Sequence, residues 1–400
     1  MRSTMQNAKL FVVDEPMSPD LEMTRFISEW IKKYGEYPTF LFSQVQGFPQ
    51  FKIVMNLLKR PLLLESLRLP QENYLQVLHE RLHEGKSEVR RGESLATQRL
   101  AGLDQVPIMT HQPGDVGRYF TSAVACLHNP EKGGYNLGFY RALIKDSKRC
   151  VIFMDPRTDA HRILRAQWAS GKKDVPITLF IGGPLSTYVS GASNVPYDKD
   201  SYEYASCISG SPLVLDERGG EYPPAPAEAE VVFRGRVLNE LDEEAPFGEF
   251  KGYYSKATQS PVMEIDEVFC RPNPHFLGLF CGKESGLTLM SLQNELLMYN
   301  HLRSRGFAVE NVANPLNSFG EFLTLVQSPE PNKELLDAAM QFDKRTKIVV
   351  VSQDIQRTLA ELAIHDFDVS SIPYVKREQR RGDRLGLIVR RTEEFRWVEY

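Results

Sequence analysis

The sequence has no apolar run that approaches the roughly 18–20 residues a helix needs to cross a bilayer. Its first residues, M-R-S-T-M-Q-N-A-K, contain no apolar core of the kind found in secretory signals. Its five cysteines are odd in number, scattered, and include no C-x2-C pair. The lack of a long apolar run argues against a membrane-spanning protein, and the cysteines fit reduced thiols better than a disulfide framework or a zinc site. We therefore expect a soluble, cytoplasmic protein with reduced thiols.

Positive charge is not in excess either. The chain has 48 Lys and Arg residues against 52 Asp and Glu residues, for a net charge of −4. Proteins that bind nucleic acid usually carry a basic balance, so we expect no nucleic-acid partner. There is no internal repeat and no low-complexity segment. A length of 400 residues allows two or three domains with a sizeable core.

Alternating strand and helix patterns predict an N-terminal α/β domain over residues 1–105. The predicted elements are strands at 9–13, 39–42 and 51–54, a helix from Ser18 at the N-cap to Gly35, and a polar helix over 71–90. That second helix contains H-E-R-L-H at residues 79–83, a formal match to the zincin motif. A third ligand should follow, and a catalytic helix is usually more apolar. We therefore interpret the match as chance.

Turn-separated strands with only one clear helix predict a β-rich domain over residues 106–260. Its strands are predicted at 119–125, 136–141, 151–154, 177–182 and 228–238, with a helix after Asp159 and a loop over 182–196. This pattern is typical of a partly closed barrel.

A second α/β alternation predicts a C-terminal domain over residues 261–400. It comprises strands at 268–269, 276–280, 321–326 and 348–351 and helices at 289–305, 332–342 and 354–364. The helix at 289–305 has a regular apolar stripe, which can pack internally or across a two-fold axis. The predicted fold class is therefore multidomain α/β.

One stretch places two acids close together: residues 244–254 read E-A-P-F-G-E-F-K-G-Y-Y. Proline presets φ and glycine permits positive φ, so the chain between Glu244 and Glu249 can turn back. Such a turn can aim both acids into one pocket, where repulsion and partial burial separate acid and base roles. The alternative is a solvated acidic loop, because Asp242 and Glu243 precede the pair.

Three separated segments favour the first interpretation. They read H-Q-P-G-D at 111–115 with N-L-G-F-Y-R at 136–141, then His161 with I-G-G-P at 181–184, then E-V-V-F-R-G at 230–235 before the acidic stretch. In this order and at these separations, the set resembles the UbiD family of prenylated-flavin-dependent decarboxylases. The resemblance extends from Pro19 to the strand at 347–351, and the pairing of N-x-G-x-Y-R with P-F-G-E-x-x-G-Y-Y makes it specific.

The resemblance implies an N-terminal α/β domain, a central split β-barrel of flavin-reductase type and a C-terminal α/β domain. It implies prenylated FMN, with its phosphate held by a divalent metal, usually Mn²⁺, and often K⁺. The implied reaction is reversible, non-oxidative decarboxylation of an aromatic or α,β-unsaturated acid through a covalent flavin–substrate adduct. A flavin prenyltransferase would supply the cofactor, and we expect a homodimer or larger oligomer.

The catalytic set of the family falls on Arg141, Glu244 and Glu249. Arginine is a permanently charged fork that suits a substrate carboxylate. We expect Glu249 to protonate the product carbon, and Glu244 to hold Arg141. In a strand, side chains five residues apart point to opposite faces, so a bulge at Gly138 would be needed to bring Asn136 and Arg141 together.

The resemblance also implies a cofactor site. Asn136 and His161 match two metal ligands; Leu137, Gly138, Phe139, Tyr140 and Arg141 match the flavin-binding segment; Ser190, Gly191 and Ser193 match the phosphate and K⁺ loop; and Lys344 or Lys347 matches a phosphate-binding lysine.

The chain departs from the family pattern at residue 234, where arginine replaces the third metal ligand, a glutamate of a V-L-E-G strand. Arginine has no oxygen ligand and repels a cation, but it binds phosphate bidentately. We therefore expect a divergent member in which Arg234 anchors the cofactor phosphate, without bound Mn²⁺ or K⁺. Ala245 stands where glycine is usual, and the family's W-A-x-x-T-R run after residue 351 is missing.

Two alternatives remain open. One is a relative that binds FMN or no flavin and uses Glu249 in another step, such as a cyclisation or isomerisation. The other is a non-catalytic homologue kept as a partner subunit, although the intact Arg141, Glu244 and Glu249 set argues against it.

Overall fold

The computed structural model describes residues 1–356, 366–375 and 381–390. The chain forms two compact units. Unit 1 comprises Met1–Leu69 and Glu84–Leu289, and unit 2 comprises Pro70–His83 and Met290–Tyr400. The division into three domains at residues 105 and 260 stays a prediction.

The described residues contain mixed helices and strands. The helices are α1 Arg2–Asn7, α2 Glu22–Tyr34, α3 Arg60–Ser66, α4 Tyr74–Glu84, α5 Asp159–Ala169, α6 Leu185–Ala192, α7 Ser201–Ser209, α8 Glu284–Ser304 and α9 Lys333–Phe342. The strands are β1 Leu10–Val13, β2 Thr39–Phe42, β3 Lys52–Met55, β4 Val89–Gly92, β5 Gln98–Leu100, β6 Tyr119–Phe120, β7 Val124–His128, β8 Tyr135–Phe139, β9 Ala142–Ile144, β10 Arg149–Ile152, β11 Asp174–Ile181, β12 Leu213–Asp216, β13 Val231–Glu244, β14 Thr258–Cys270, β15 His275–Gly278, β16 Asn311–Ala313, β17 Leu323–Gln327, β18 Ile348–Ser352, β19 Asp366–Val375 and β20 Arg381–Arg390. In the described part of the chain, every helix is too short or too polar to span a bilayer.

The first sheet of unit 1 has the order β1-β2-β3-β15. Helix α2 covers it with aromatic side chains, and the Phe26 and Phe40 rings meet edge to face at 5.7 Å. The helix ends at Gly35 as predicted, with φ of 70°, but it begins at Glu22 and not after Ser18. The Ser18 hydroxyl accepts from the Asp20 N–H, so it caps a turn that precedes the helix. Strand β15 belongs to the region predicted as C-terminal, yet it pairs with β3.

The large sheet of unit 1 is antiparallel and curls into a half-barrel, with the order β6-β9-β10-β14-β13-β11-β7-β8 and with β5 paired to β14. Two predicted strands differ from those observed. The strand expected at 119–125 is broken into β6 and β7, and the strand expected to end at 238 continues to Glu244 as β13. The extension matters because it places Glu244 inside the ladder, opposite Thr258.

Two short helices lie where no helix was predicted. Helix α6 occupies the expected loop at 182–196, and α7 occupies the tyrosine-rich segment that follows. The side chain of Asp200 caps α7 by accepting from the N–H groups of Tyr202 and Glu203. Serine, threonine and tyrosine occupy many of the buried positions of both helices, so hydrophobic periodicity does not reveal these helices.

Unit 2 contains the sheet β16-β17-β18-β20-β19. Helix α9 begins at the N-cap Asn332, whose side chain accepts from the Leu335 N–H. Its bounds and those of α8 lie close to the predictions at 332–342 and 289–305. The helix predicted at 354–364 lies mostly outside the described residues. Helix α4 is shorter than the predicted span of 71–90 because residues 89–92 form β4.

Candidate active site

Arg141 and the two acids of the predicted catalytic set lie together in unit 1. The Arg141 Nε and Nη2 atoms donate to the two carboxylate oxygens of Glu244 at 2.7 and 2.9 Å. Its Nη1 atom donates to Oε1 of Glu249. Glu244 is fully buried, whereas the Glu249 side chain keeps 24% of its surface exposed. The part of the stretch that carries the two acids is therefore not a solvated loop: residues 244–251 are buried or half-buried, whereas residues 241–243 and 252–254 are exposed.

The backbone brings these side chains together without a bulge at Gly138. Strand β8 pairs continuously with β7 from Tyr135 to Phe139. Arg141 follows the end of that strand, so its side chain leaves the alternation of faces. The bulge considered at Gly138 is therefore absent, and Arg141 points away from the strand pattern because β8 has already ended.

Neighbouring side chains contact both Glu244 and Arg141. The Thr258 hydroxyl donates to Oε2 of Glu244 at 3.3 Å. The Arg141 guanidinium lies over the Phe153 ring at 4.5 Å and 5.3 Å from the Phe247 ring. Aromatic faces attract a guanidinium, so Arg141 is restrained on the sides that the carboxylates leave open.

After Glu244 the chain turns sharply. The Ala245–Pro246 peptide is cis, and Ala245 has φ of 119°, in the region that favours glycine. The Glu249 N–H donates to the Tyr253 carbonyl, and the Gly252 N–H returns to the Glu249 carbonyl. Glu249 therefore begins a closed turn and is not a freely moving side chain on a long loop.

A second loop, residues 111–115, holds this turn in place. The Asp115 carboxylate accepts from the Gly248 N–H at 2.8 Å, and also from the N–H groups of His111 and Gln112. The Gly114 N–H donates to the Tyr254 hydroxyl at 3.0 Å. Glycine is needed at 248 because a Cβ there would lie 2.6 Å from Gln112 Cγ. The two loops therefore form one hydrogen-bonded unit beside Glu249.

Burial and charge shift several pKa values around the cluster. Burial alone lowers the pKa of Arg141, but the hydrogen bonds and charges of Glu244 and Glu249 outweigh it, so the pKa lies above its ordinary value. Burial raises the pKa of Asp115 against the effect of its three amide donors. Burial also lowers the pKa of His111 to about 4, so this ring is neutral at pH 7.

The predicted flavin-binding segment of β8 and the predicted phosphate segment of α6 adjoin each other. The Phe139 ring lies 5.7 Å from the Tyr188 ring, and a Cβ on Gly191 would lie 3.5 Å from Phe139. Ser201 links the two segments, because its hydroxyl accepts from the Leu137 N–H and its carbonyl accepts from the Ser190 hydroxyl. Leu137 and Ser190 are buried, and the Ser193 hydroxyl donates to the Val189 carbonyl. Gly138 is buried in β8, and Tyr140 is half-buried beyond its end.

Asn136 and His161 each keep a buried polar atom without a hydrogen-bond partner, Oδ1 of the amide and Nδ1 of the ring. Asn136 lines a cavity of about 10 Å³ together with Ile163, which lies two residues after His161. His161 itself lines a groove of about 530 Å³ with Arg157, Arg162 and Arg165. Unpaired buried polar atoms are costly, so these two atoms point to a ligand or an ion.

Arg234 does not lie at this site. In the register of the sheet, Arg234 lies opposite Thr178 on β11, Thr178 lies opposite Cys126 on β7, and Cys126 lies opposite Leu137 on β8. Asn136 is the residue next to Leu137 on β8, so it points to the other face. Arg234 is therefore on the opposite face from Asn136 and three strands away, roughly 14 Å at about 4.8 Å per strand. Its guanidinium is buried between Asp216, at 2.8 Å, and Glu267, at 3.5 Å. This geometry argues against Arg234 as the phosphate anchor.

The residues present fit a phosphate-bearing cofactor better than they fit a complete metal site. Among the residues described, no three His, Cys, Asp or Glu side chains are close enough to hold a metal ion together. Asn136 and His161 would supply two donors, and the arginines of the groove supply positive charge for a phosphate. Lys344 is an exposed residue in unit 2, and its predicted phosphate contact stays a prediction.

Several contacts of this site were not assigned from the sequence. Asp115 lies within the H-Q-P-G-D segment that helped to carry the resemblance, but no role was given to it. Thr258, Phe153 and Ser201 lie in ordinary strand or helix patterns that give no local signal. Only the pairing of distant strands reveals them.

The comparisons with known proteins identify the family of the chain. Residues 4–82 match the 3-octaprenyl-4-hydroxybenzoate carboxy-lyase N-terminal domain, and residues 83–284 match the Rift-related domain of the same enzyme family. The chain belongs to the UbiD family, whose members include decarboxylases. The resemblance stated from the sequence is confirmed.

Three relatives illustrate the range of the family. Anhydromevalonate phosphate decarboxylase of Methanocaldococcus jannaschii is 24% identical over 373 residues, covering 91% of this chain and 84% of the relative. Phenolic acid decarboxylase of Bacillus subtilis is 26% identical over 293 residues, covering 69% of this chain and 62% of the relative. An evolved dimeric form of HmfF from Pelotomaculum thermopropionicum, a UbiD-class enzyme solved with prFMN, superposes with a TM-score of 0.87 at 22% identity, covering 100% of this chain and 96% of that chain.

Proposed function

We propose that this protein is a non-oxidative decarboxylase of an aromatic or α,β-unsaturated carboxylic acid that uses prenylated FMN. The observation that carries the proposal is the Arg141, Glu244 and Glu249 cluster, in which one arginine with 11% of its side chain exposed is shared by a buried and a partly exposed carboxylate. When bound, the prenylated flavin supplies an electron sink for the loss of CO₂.

Arg141 binds the carboxylate of the substrate. Glu244 occupies Nε and Nη2 in a bidentate pair, which fixes the plane of the guanidinium. Nη1 is shared with Glu249, the more exposed partner, and a substrate carboxylate can displace that contact. The fixed pair with Glu244 positions the arginine, and the exchangeable contact provides the binding site.

Glu249 donates the proton that replaces CO₂. With two carboxylates on one guanidinium, the cluster already has a net charge of −1 when all three groups are ionised. A third carboxylate would add repulsion, so the substrate and Glu249 compete for Nη1 of Arg141. Once displaced from Arg141, Glu249 is available to deliver a proton to the product carbon.

The segment from Asn136 to Tyr140 would hold the cofactor, and His161 and the Ser190–Ser193 segment would hold its phosphate. The unpaired atoms of Asn136 and His161 and the arginines of the adjoining groove support this orientation. A flavin prenyltransferase supplies the cofactor. The proposed mechanism contains no metal, because the described residues supply two donors, Asn136 and His161, and no carboxylate that joins them in a metal-binding group.

The substrate is a small carboxylic acid. The two named relatives act on chemically different acids, an anhydromevalonate phosphate and a phenolic acid, so kinship alone does not choose between them. We also propose a homodimer or larger oligomer, as the dimeric form of the HmfF relative suggests. The stripe of α8 is not its interface, because Leu292, Leu296 and Leu302 are buried.

The proposal is tested by co-expressing the protein with a flavin prenyltransferase and identifying the bound flavin by mass and absorption. CO₂ release is then measured with a panel of phenolic and α,β-unsaturated acids. Glu249→Gln is expected to lose roughly 10²-fold or more in turnover while it keeps the flavin, because a positioned acid contributes about that much. Glu243→Gln, an exposed neighbour of the pair, should behave like the unmodified protein.

Near-normal turnover in Glu249→Gln would remove Glu249 from the mechanism. Bound FMN, with no CO₂ released, would favour the relative that catalyses a cyclisation or isomerisation. An empty flavin site in the unmodified protein would favour the non-catalytic partner subunit.

A further inference from the structure

The H-E-R-L-H segment of unit 2 remains outside the proposed function, yet its two histidines are arranged as a pair. His79 and His83 lie one turn apart on α4, and their ring centroids are 4.1 Å apart with an interplanar angle of 36°. His79 is half-buried and His83 is exposed. Both rings therefore sit side by side at the surface, where an ion can reach them.

Each ring has one nitrogen fixed by an acceptor that cannot donate. Nδ1 of His79 lies 2.7 Å from the side-chain oxygen Oδ1 of Asn300, and Nδ1 of His83 lies 2.8 Å from the His79 carbonyl. A carbonyl or amide oxygen only accepts, so Nδ1 carries the proton in each neutral ring. The lone pair of each neutral imidazole is therefore on Nε2, the nitrogen that has no recorded hydrogen-bond partner among the residues that the structure describes.

We propose that His79 and His83 form a two-histidine binding site for a divalent transition metal ion such as Zn²⁺, Ni²⁺ or Cu²⁺. Metal-bound histidines usually donate their other ring N–H to an oxygen, which fixes the tautomer and the ring orientation. Here the side-chain oxygen of Asn300 accepts the N–H of His79, and the His79 carbonyl accepts the N–H of His83. Imidazole nitrogen favours these ions over Mg²⁺ or Ca²⁺, which prefer oxygen ligands.

The ion would take its remaining ligands from water. Within the ranges that the structure covers, no third His, Cys, Asp or Glu joins the two rings in a metal-binding group. A zincin needs three protein ligands as well as the glutamate base. The structure therefore supports metal binding at this helix and excludes the peptidase reading of the motif for these residues.

The two rings are close enough to share one ion. Zn–N bonds of about 2.0–2.1 Å in a tetrahedral site place two nitrogens about 3.3 Å apart. The ring centroids are 4.1 Å apart, so one ion is within reach of both rings. The more buried His79, held by Asn300 on α8, provides the fixed half of the chelate.

The test is a calorimetric titration of Zn²⁺ into the metal-stripped full-length protein, repeated with Ni²⁺. We expect one site that weakens at least tenfold in His79→Gln and in His83→Gln. Asn300→Ala, which removes the tautomer lock but no ligand, should weaken the same site roughly tenfold, in line with the usual effect of outer-shell partners. His128→Gln, which removes another exposed histidine in unit 1, should leave it unchanged.

Zinc also has a second candidate location at Asn136 and His161, so the titration includes His161→Gln. If the measured site survives in His83→Gln but disappears in His161→Gln, the ion belongs to the cofactor region and the proposal is overturned. Absence of any Zn²⁺ or Ni²⁺ binding at about 100 µM ion, which is roughly ten to a hundred times the Kd of a site with micromolar affinity, would overturn it as well.

Discussion

Two arginines of unit 1 each pair with two carboxylates, but they differ in whether a ligand can replace one of those carboxylates. Arg141 is paired with Glu244 and Glu249, and Arg234 is paired with Asp216 and Glu267. The Arg234 side chain is 5% exposed and its main partner Asp216 is 1% exposed, so neither is open to exchange with a ligand. Arg141 has one partner on a turn that is partly open to solvent. An arginine whose carboxylate partner is partly exposed can exchange that partner for a ligand. An arginine whose main partner is buried forms an internal ion pair.

Arg234→Glu is therefore expected to destabilise the protein and to create no metal dependence. The change removes the cation between two carboxylates and adds a third negative charge, and breaking a buried pair in this way costs about 3–5 kcal/mol. Urea denaturation measures the loss. Arg236→Glu is the matched control, because Arg236 lies two residues along β13 but keeps 27% of its side chain exposed and should lose much less. A folded Arg234→Glu protein that gains Mn²⁺-dependent activity would restore the anchor prediction made from the sequence.

At the level of elements, the acidic turn depends on a loop more than a hundred residues earlier in the chain. Asp115 accepts three backbone N–H groups, and one of them belongs to Gly248, the residue before Glu249. Without that acceptor, three amide donors lose their partner and the turn loses its tie to the 111–115 loop. The position of Glu249 should then be less well defined, although its side chain is unchanged.

Asp115→Ala is expected to lower turnover more than tenfold and to reduce stability by about 1–3 kcal/mol for unsatisfied buried groups. Asp146→Ala provides the matched control. Asp146 accepts the N–H groups of Lys148 and Arg149 in another loop of unit 1, so its loss affects stability without touching the acidic turn. Steady-state rates at saturating flavin compare the two. Equal turnover in both variants would show that the loop does not position Glu249.

The elements also show what the sequence can and cannot predict. Helices α2 and α9 follow from hydrophobic periodicity and end signals, because each has one apolar face, and α8 and strands β1 and β2 follow from their apolar residues. Helices α6 and α7 were missed because small polar residues and tyrosines occupy their buried positions. The residues of the Arg141 cluster were predicted from the family pattern. Its neighbours Asp115 and Thr258 depend on long-range pairing that no local pattern encodes.

The misplaced role of Arg234 has a related cause. Its position in a V-F-R-G sequence suggests a lost metal ligand, and the sequence of one strand does not show which face of the sheet that position shares with Asn136. The decisive information lies in the register across three neighbouring strands, which places Arg234 and Asn136 on opposite faces. Register of that kind is set by packing of the whole sheet.

For the whole molecule, the buried histidine of the 111–115 loop links stability to pH. His111 is 2% exposed, its Nε2 lies 3.0 Å from the Thr121 hydroxyl, and its ring packs against Phe280. Burial lowers its pKa to about 4, below the ordinary value of 6.5. In the unfolded chain the ring takes up a proton as pH falls through about 6.5, whereas the folded protein resists until about 4. The unfolded state binds more protons in this window, so stability falls as the pH is lowered.

We expect His111 to account for about 2–3 kcal/mol of the stability lost between pH 7 and pH 4.5, since each pKa unit corresponds to about 1.4 kcal/mol. Urea denaturation of the unmodified protein and of His111→Gln at both pH values measures this share. The variant has its own stability at pH 7, so the informative quantity is the difference in pH dependence between the two proteins. His275, whose pKa is also lowered by burial, is present in both and cancels. An identical loss of stability on acidification in both proteins would show that His111 is not held neutral by the fold.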